Sequence, residues 1–173
     1  MADPTYTTYQ GTGEVLSTDF KAIKWVGKTK SGKAVEIALT DAINRENPNL
    51  QFAEKDDTIQ TLTFEACYDN TDAAASTTTE PWTVKVDDAV VSGASEIVLG
   101  AGIFYIGATA VALTRGGGTF TVEREYREIN ADGDRGAVKG RIELVSSRPK
   151  LTMNALTWLT NMANIWPAFA VQA

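Results

Sequence analysis

The segment Thr119–Gly140 (TFTVEREYREINADGDRGAVKG) constrains the fold of this chain more than any other. It is a long charged strand, Thr119–Ile129, a turn around Asp132-Gly133-Asp134, and a return strand, Val138–Ser146. Runs of this length bounded by Asp and Gly read as a β-hairpin. Two further strand-length pieces precede it, Leu99–Gly107 (LGAGIFYIG) and Leu113–Gly118 (LTRGGG), and Lys150–Leu156 (KLTMNAL) follows. Within the hairpin, Glu123, Glu125 and Arg127 share one face, and Arg124, Tyr126 and Glu128 share the other. A strand charged on both faces fits a sandwich interior poorly. Lys139, Arg141 and Glu143 on the return strand are available as cross-strand partners. The hairpin therefore either projects into solvent or meets another subunit, and its charge also protects an edge against aggregation.

The rest of the chain is strand after strand. Residues 1–12 are polar, with Tyr6 and Tyr9, and read as an arm. Phe20–Val26 and Lys33–Leu39 flank a turn at Lys28–Gly32, with Val35, Ile37 and Leu39 alternating onto one face. Asp41–Asn47 is expected to form a short helix capped by Thr40 or Asp41 and closed by Pro48. Thr58–Tyr68 reads as a strand with Leu62, Phe64, Ala66 and Tyr68 on one side, 69–80 as a loop, and Trp82–Val86 as a strand. Residues 87–96 read as a connector, and Ile103–Ile106 and Val111–Thr114 as a compact hairpin around Gly107. From Leu156 the period changes: Leu156, Leu159, Met162, Ala163 and Trp166 are helically spaced, and Pro167 ends the run. Strands without regular intervening helices predict a mainly β chain, an antiparallel sandwich or barrel with one or two short flanking helices. At 173 residues it reads as one domain.

Composition narrows the chemistry. The chain has no histidine, which removes Ser–His and Cys–His pairs and the commonest metal ligand. Its single cysteine, Cys67, makes no intramolecular disulfide or multi-thiolate metal site and reads as a small core or strand residue. A formal net charge of −6 opposes phosphate gripping, though it does not argue against nucleic acid passing without sticking. The sequence shows no signal-peptide pattern and no apolar run near the ~20 residues of a membrane helix, so a soluble protein made in the cytosol is expected.

Three near-motifs fail on inspection. Gly27–Ala34 (GKTKSGKA) approaches a phosphate-binding loop, but Ala34 lacks the hydroxyl for magnesium and a strand follows rather than a helix. Asn130, Asp132 and Asp134 have calcium-loop spacing, but Arg135 stands where the loop needs glycine and Arg141 where it needs glutamate. Gly116-Gly117-Gly118 opens no helix; it reads as a sharp bend, as a close backbone approach where a neighbour packs, or as a flexible loop. The four tryptophans read as core or interface. No catalytic, cofactor or metal residues are assigned, and the chain reads as a non-enzyme.

The pieces LGAGIFYIG, LTRGGGTFTVEREYREINADGDRG, VKGRIELV and KLTMNAL resemble the major tail tube proteins of long-tailed bacteriophages. So do Lys24–Thr29, Asp41–Asn44, Phe64–Asp69 and Glu80–Trp82. The segment order resembles a circular permutation of the family's, with 87–96 as an exposed joint and the present ends close together. The resemblance implies a small β-sandwich with a flanking helix. It implies hexameric rings that join strands across subunits and stack into the hollow tube through which the genome passes. The implied partners are the chain itself, other tail proteins and DNA in transit without specific binding, with no membrane; the implied location is the virion tail, after assembly in the host cytoplasm. The implied self-assembly residues are Tyr6, Tyr9, Arg115, Gly116, Gly117, Gly118, Glu123, Arg124, Glu125, Arg127, Asp132, Asp134, Lys139 and Arg141. Two rivals stand beside it, a monomeric β-sandwich that binds a ligand or glycan, and a hydrolase working with two carboxylates.

Overall fold

The computed structural model describes residues 7–46, 48, 59–68, 80–87, 98–111, 114–129, 132, 138–156 and 162–171. Among these the chain is mainly β and antiparallel, of the sandwich or barrel class. The elements run β1 (Tyr9–Gly11), β2 (Lys21–Thr29), β3 (Ala34–Asn44), β4 (Gln60–Ala66), β5 (Trp82–Val86), β6 (Val98–Ile106), β7 (Thr109–Val111), β8 (Thr114–Glu128), β9 (Ile142–Ala155), α1 (Met162–Ile165) and β10 (Phe169–Val171). A single 3-10 turn lies at Ser17–Asp19.

The β2–β3 turn shows why the phosphate-loop reading fails. The Thr29 N–H donates to the Lys33 carbonyl at 2.9 Å, and the Thr29 hydroxyl accepts from the Lys33 N–H at 3.1 Å. Gly32 takes a φ of +85°, which closes the turn without a side-chain clash. The backbone amides that would cradle a phosphate are spent on the hairpin.

The main sheet runs β7-β6-β2-β3-β4-β9-β8, and β5 pairs with the first half of β3. Strands β7 and β8 stand at opposite ends of that path, yet two residues, 112 and 113, separate Val111 from Thr114. Three residue steps reach at most about 11 Å. Seven strands laid flat at the usual spacing would hold their outer members about 29 Å apart. The sheet therefore curls until its margins approach. Phe104 of β6 lies against Gly118 of β8, where a Cβ would overlap the Phe104 ring and the Thr152 carbonyl. The glycine that ends the triplet is thus required by closure.

The core fills this curl. Ile23, Leu39, Leu62, Phe64, Phe104, Ile106, Leu151 and Met153 are buried together, and Ile165 and Trp166 of the C-terminal turn join them. Alternation delivers them: Leu62, Phe64 and Ala66 point inward from β4, and Leu151, Met153 and Ala155 from β9. Trp25 lies across Gly27 and Gly102, so an indole takes the place of two missing side chains.

Several sequence expectations change. Asp41–Asn47 forms no helix over its described residues, because β3 runs on through Asn44. Asp41 adopts a φ of +47°, and the pairing with β2 shifts there, from Ile23↔Leu39 to Lys21↔Ala42. This bulge turns Ala42, Ile43 and Asn44 into buried positions paired with β4. Tyr68 lies beyond the end of β4 and is exposed. Val111 and Thr114 belong to different strands, so the compact hairpin is β6–β7 alone, and the glycine triplet lies inside β8. Tyr9–Gly11 is no free arm: it pairs with β10, Tyr9 opposite Val171. The first and last described strands therefore lie side by side. Asp19 fastens them, accepting from the Leu16 N–H at 2.8 Å and the Ala168 N–H at 3.1 Å. The helix expected from Leu156 is described only at Met162–Ile165, and most of 69–80 and 87–96 lies outside the described residues.

Candidate functional site

Strands β8 and β9 pair from Thr114 to Glu128, with irregularities at 115–117 and at Val145, but the body supports only one end of them. Strand β4 accompanies β9 from Ala155 back to Lys150 and then leaves. Beyond that point Glu123–Glu128 and Ile142–Arg148 continue as a two-stranded ribbon. Neither edge of the ribbon is paired with another strand among the described residues.

The ribbon's two faces differ. One carries Glu123, Glu125 and Arg127 opposite Arg148, Ser146 and Glu143. Lys150 pairs with Glu123 at 2.8 Å, Arg127 with Glu143, and the Ser146 hydroxyl donates to Glu125 at 3.3 Å. These exposed pairs hold the face in register and contribute little to stability, ~0.5 kcal/mol each. The other face continues the core face outward. It runs from Phe120 and Leu151 through Val122 and Pro149 and Arg124 and Ser147 to Tyr126 and Leu144, then Glu128 and Ile142. Leu151 and Pro149 are buried. Tyr126, Leu144 and Ile142 are 56%, 47% and 48% exposed. The second face is therefore not charged throughout, as the sequence of β8 alone suggests; β9 supplies its apolar half.

A bulge at Val145 separates the two regimes, since pairing passes from Glu125↔Ser146 to Tyr126↔Leu144. Just inside it, the body reaches the ribbon through Glu80 and Trp82. Arg124 Nη2 stands 3.0 Å from Glu80 Oε2, and Trp82 Nε1 donates to the same oxygen. The Trp82 ring packs on Phe120 at 5.5 Å between centroids. Partial burial opposes ionisation of Glu80, but the Arg124 and Trp82 hydrogen bonds outweigh it and hold its carboxyl below the ordinary 4.5. Arg124 is raised in turn, chiefly by its hydrogen bond to Glu80.

Of the residues singled out in the sequence, Glu123, Arg124, Glu125 and Arg127 lie on the ribbon. Lys139 and Arg141 lie at its exposed tip, and the Ile129 N–H donates to the Arg141 carbonyl. Asp132 is an exposed turn residue. Arg115, Gly116 and Gly117 belong to the start of β8, remote from the tip, with positive φ at both glycines. Tyr9 lies in the terminal pair of strands, and Tyr6 and Asp134 fall outside the described residues. Sequence reasoning missed the apolar patch of Tyr126, Ile142 and Leu144, and it missed Glu80. The signal for the patch was the alternation Ile142-Glu143-Leu144; nothing local marks Glu80.

A groove of about 880 Å³ runs beside β9, lined by Arg45, Cys67, Tyr68, Leu144 and Val145 among others. Its two carboxylates, Glu65 and Glu143, are each ion-paired, with Arg45 and Arg127. Cys67 is half-buried and accepts a long contact from Arg45 at 3.5 Å. No cluster of metal-ligating side chains occurs among the described residues. No helix of the described chain is long and apolar enough to cross a membrane. Comparison with family models, with curated proteins and with solved structures finds no match.

Proposed function

We propose that this chain is a self-associating structural subunit, of the kind that builds a phage tail tube. The observation that carries the reading is the distal ribbon, whose apolar face and two backbone edges lack a partner within the described protomer. Large exposed apolar patches mark interaction sites. Open strand edges are templates for pairing with another chain. Identical copies meeting through such edges form head-to-tail contacts, which close into rings or continue as filaments. In this reading the rings are hexameric and stack, and the net charge of −6 keeps DNA in the bore from sticking. The adjacency of β1 and β10 supports a permuted order, because ends descended from one internal loop lie together.

The three described tryptophans give little support to a glycan-binding module. Trp25 is laid over two glycines, Trp82 is packed on Phe120, and Trp166 is buried. Negative-stain microscopy of the purified protein tests the proposal. Uniform hollow rods or rings about 100 Å wide are expected for six domains of this size around a bore. A monodisperse monomer at high concentration overturns it.

A further inference from the structure

One carboxylate outside the ribbon touches it where it leaves the body. Past Lys150 the ribbon has lost β4, and a free two-stranded hairpin is marginal in water. At that level Glu80 accepts from Arg124 on the ribbon and from Trp82 on β5. Trp82 in turn packs on Phe120 at the ribbon's root. Ser147, opposite Arg124, is buried, and its hydroxyl is near enough to Glu80 to help lower that carboxyl. The Val145 bulge begins immediately beyond. Bulges bend strands, so a fixed point followed by a bend aims whatever lies further out. We infer that Glu80 is a latch, a positioning residue that fixes the angle at which the ribbon leaves the body of the sheet, with the Val145 bulge as a bend beyond it.

Trp82 anchors the latch to β3. The Thr40 N–H donates to the Pro81 carbonyl at 3.0 Å, and β5 pairs with Val35–Leu39 of the core sheet. The ribbon is thereby referred to the rigid centre of the molecule. A latched ribbon presents Tyr126, Leu144 and Ile142 in one orientation, which lowers the ordering cost of meeting a neighbour. That consequence rests on the self-association reading; the latch itself does not.

Hydrogen exchange on the dilute full-length protein tests the latch. Glu80→Gln removes the charge while keeping shape, and Trp82→Phe removes the N–H donor together with part of the ring that packs on Phe120. Both are expected to speed exchange about tenfold at Val122–Glu128 and Ile142–Ser147, as local opening becomes easier. Protection in β2, β3 and β6 stays at the wild-type level. The exchanged pair Glu80→Arg with Arg124→Glu restores ribbon protection at least in part. Unchanged exchange in the ribbon, or loss spread evenly over all strands, overturns the latch. Failure of the wild-type protein to associate sinks the self-association reading instead and leaves these exchange results standing.

Discussion

The two halves of the β8–β9 pair belong to one antiparallel ladder, divided by the bulge at Val145, and they differ in cover. In the root half, Phe120, Leu151 and Met153 face Phe104, Leu62 and the rest of the core. In the distal half, Tyr126, Leu144 and Ile142 hold the equivalent face and meet solvent. The amphipathic pattern thus outruns the body that the described residues provide. Burial of a large apolar side chain stabilises by about 1.5–3 kcal/mol, and in the distal half, whose side chains stay about half exposed among the described residues, roughly half of that gain is unrealised. On the self-association proposal, the pattern continues past its cover because a second copy completes it.

The comparison is broken most easily through stability. Phe64→Ala in the covered region is expected to cost about 3–5 kcal/mol in denaturant unfolding, because it leaves a cavity in a close-packed core. Leu144→Asp in the distal region is expected to move the dilute protomer by only about 0.5 kcal/mol or less. It should nonetheless abolish association, read by sedimentation. A loss from Leu144→Asp comparable to that from Phe64→Ala would mean the distal face is already covered. Gly118→Ala sharpens the boundary. Its methyl meets the Phe104 ring and the Thr152 carbonyl, so a cost of about 1–3 kcal/mol is expected from overpacking.

The smallest effect is the acid response of the latch. The folded Glu80 carboxyl lies below its ordinary 4.5, so its stabilisation is fully present above that value. It is lost as pH falls from 4.5 through the lowered folded value. Unfolding midpoints of wild type and Glu80→Gln should differ at neutral pH and converge in acid. A difference that persists or grows below the folded value would contradict the ion pair as its source.

The strands were legible wherever alternation was local. Val35–Leu39 and Leu62–Ala66 announce their inner faces without outside help. Asp41–Asn47 misled because its cap residues and Pro48 mimic a helix, whereas pairing of Ala42–Asn44 with β4 decides the matter from outside the segment. The charged face of the ribbon could be read from β8 alone. Its apolar face could not, since it alternates strand by strand between Tyr126, Leu144 and Ile142 through a bulge. The Glu80–Arg124 contact joins residues 44 apart in the chain, and no periodicity carries such a pairing.

Concentration-dependent hydrogen exchange of the wild-type chain tests the central claim most directly. Amides of Glu123–Glu128 and Ile142–Arg148 should become protected as concentration rises, while those of β4 and the root of β9 keep their dilute protection. Equal exchange in the distal ribbon at every concentration would show that its bare face meets no second copy.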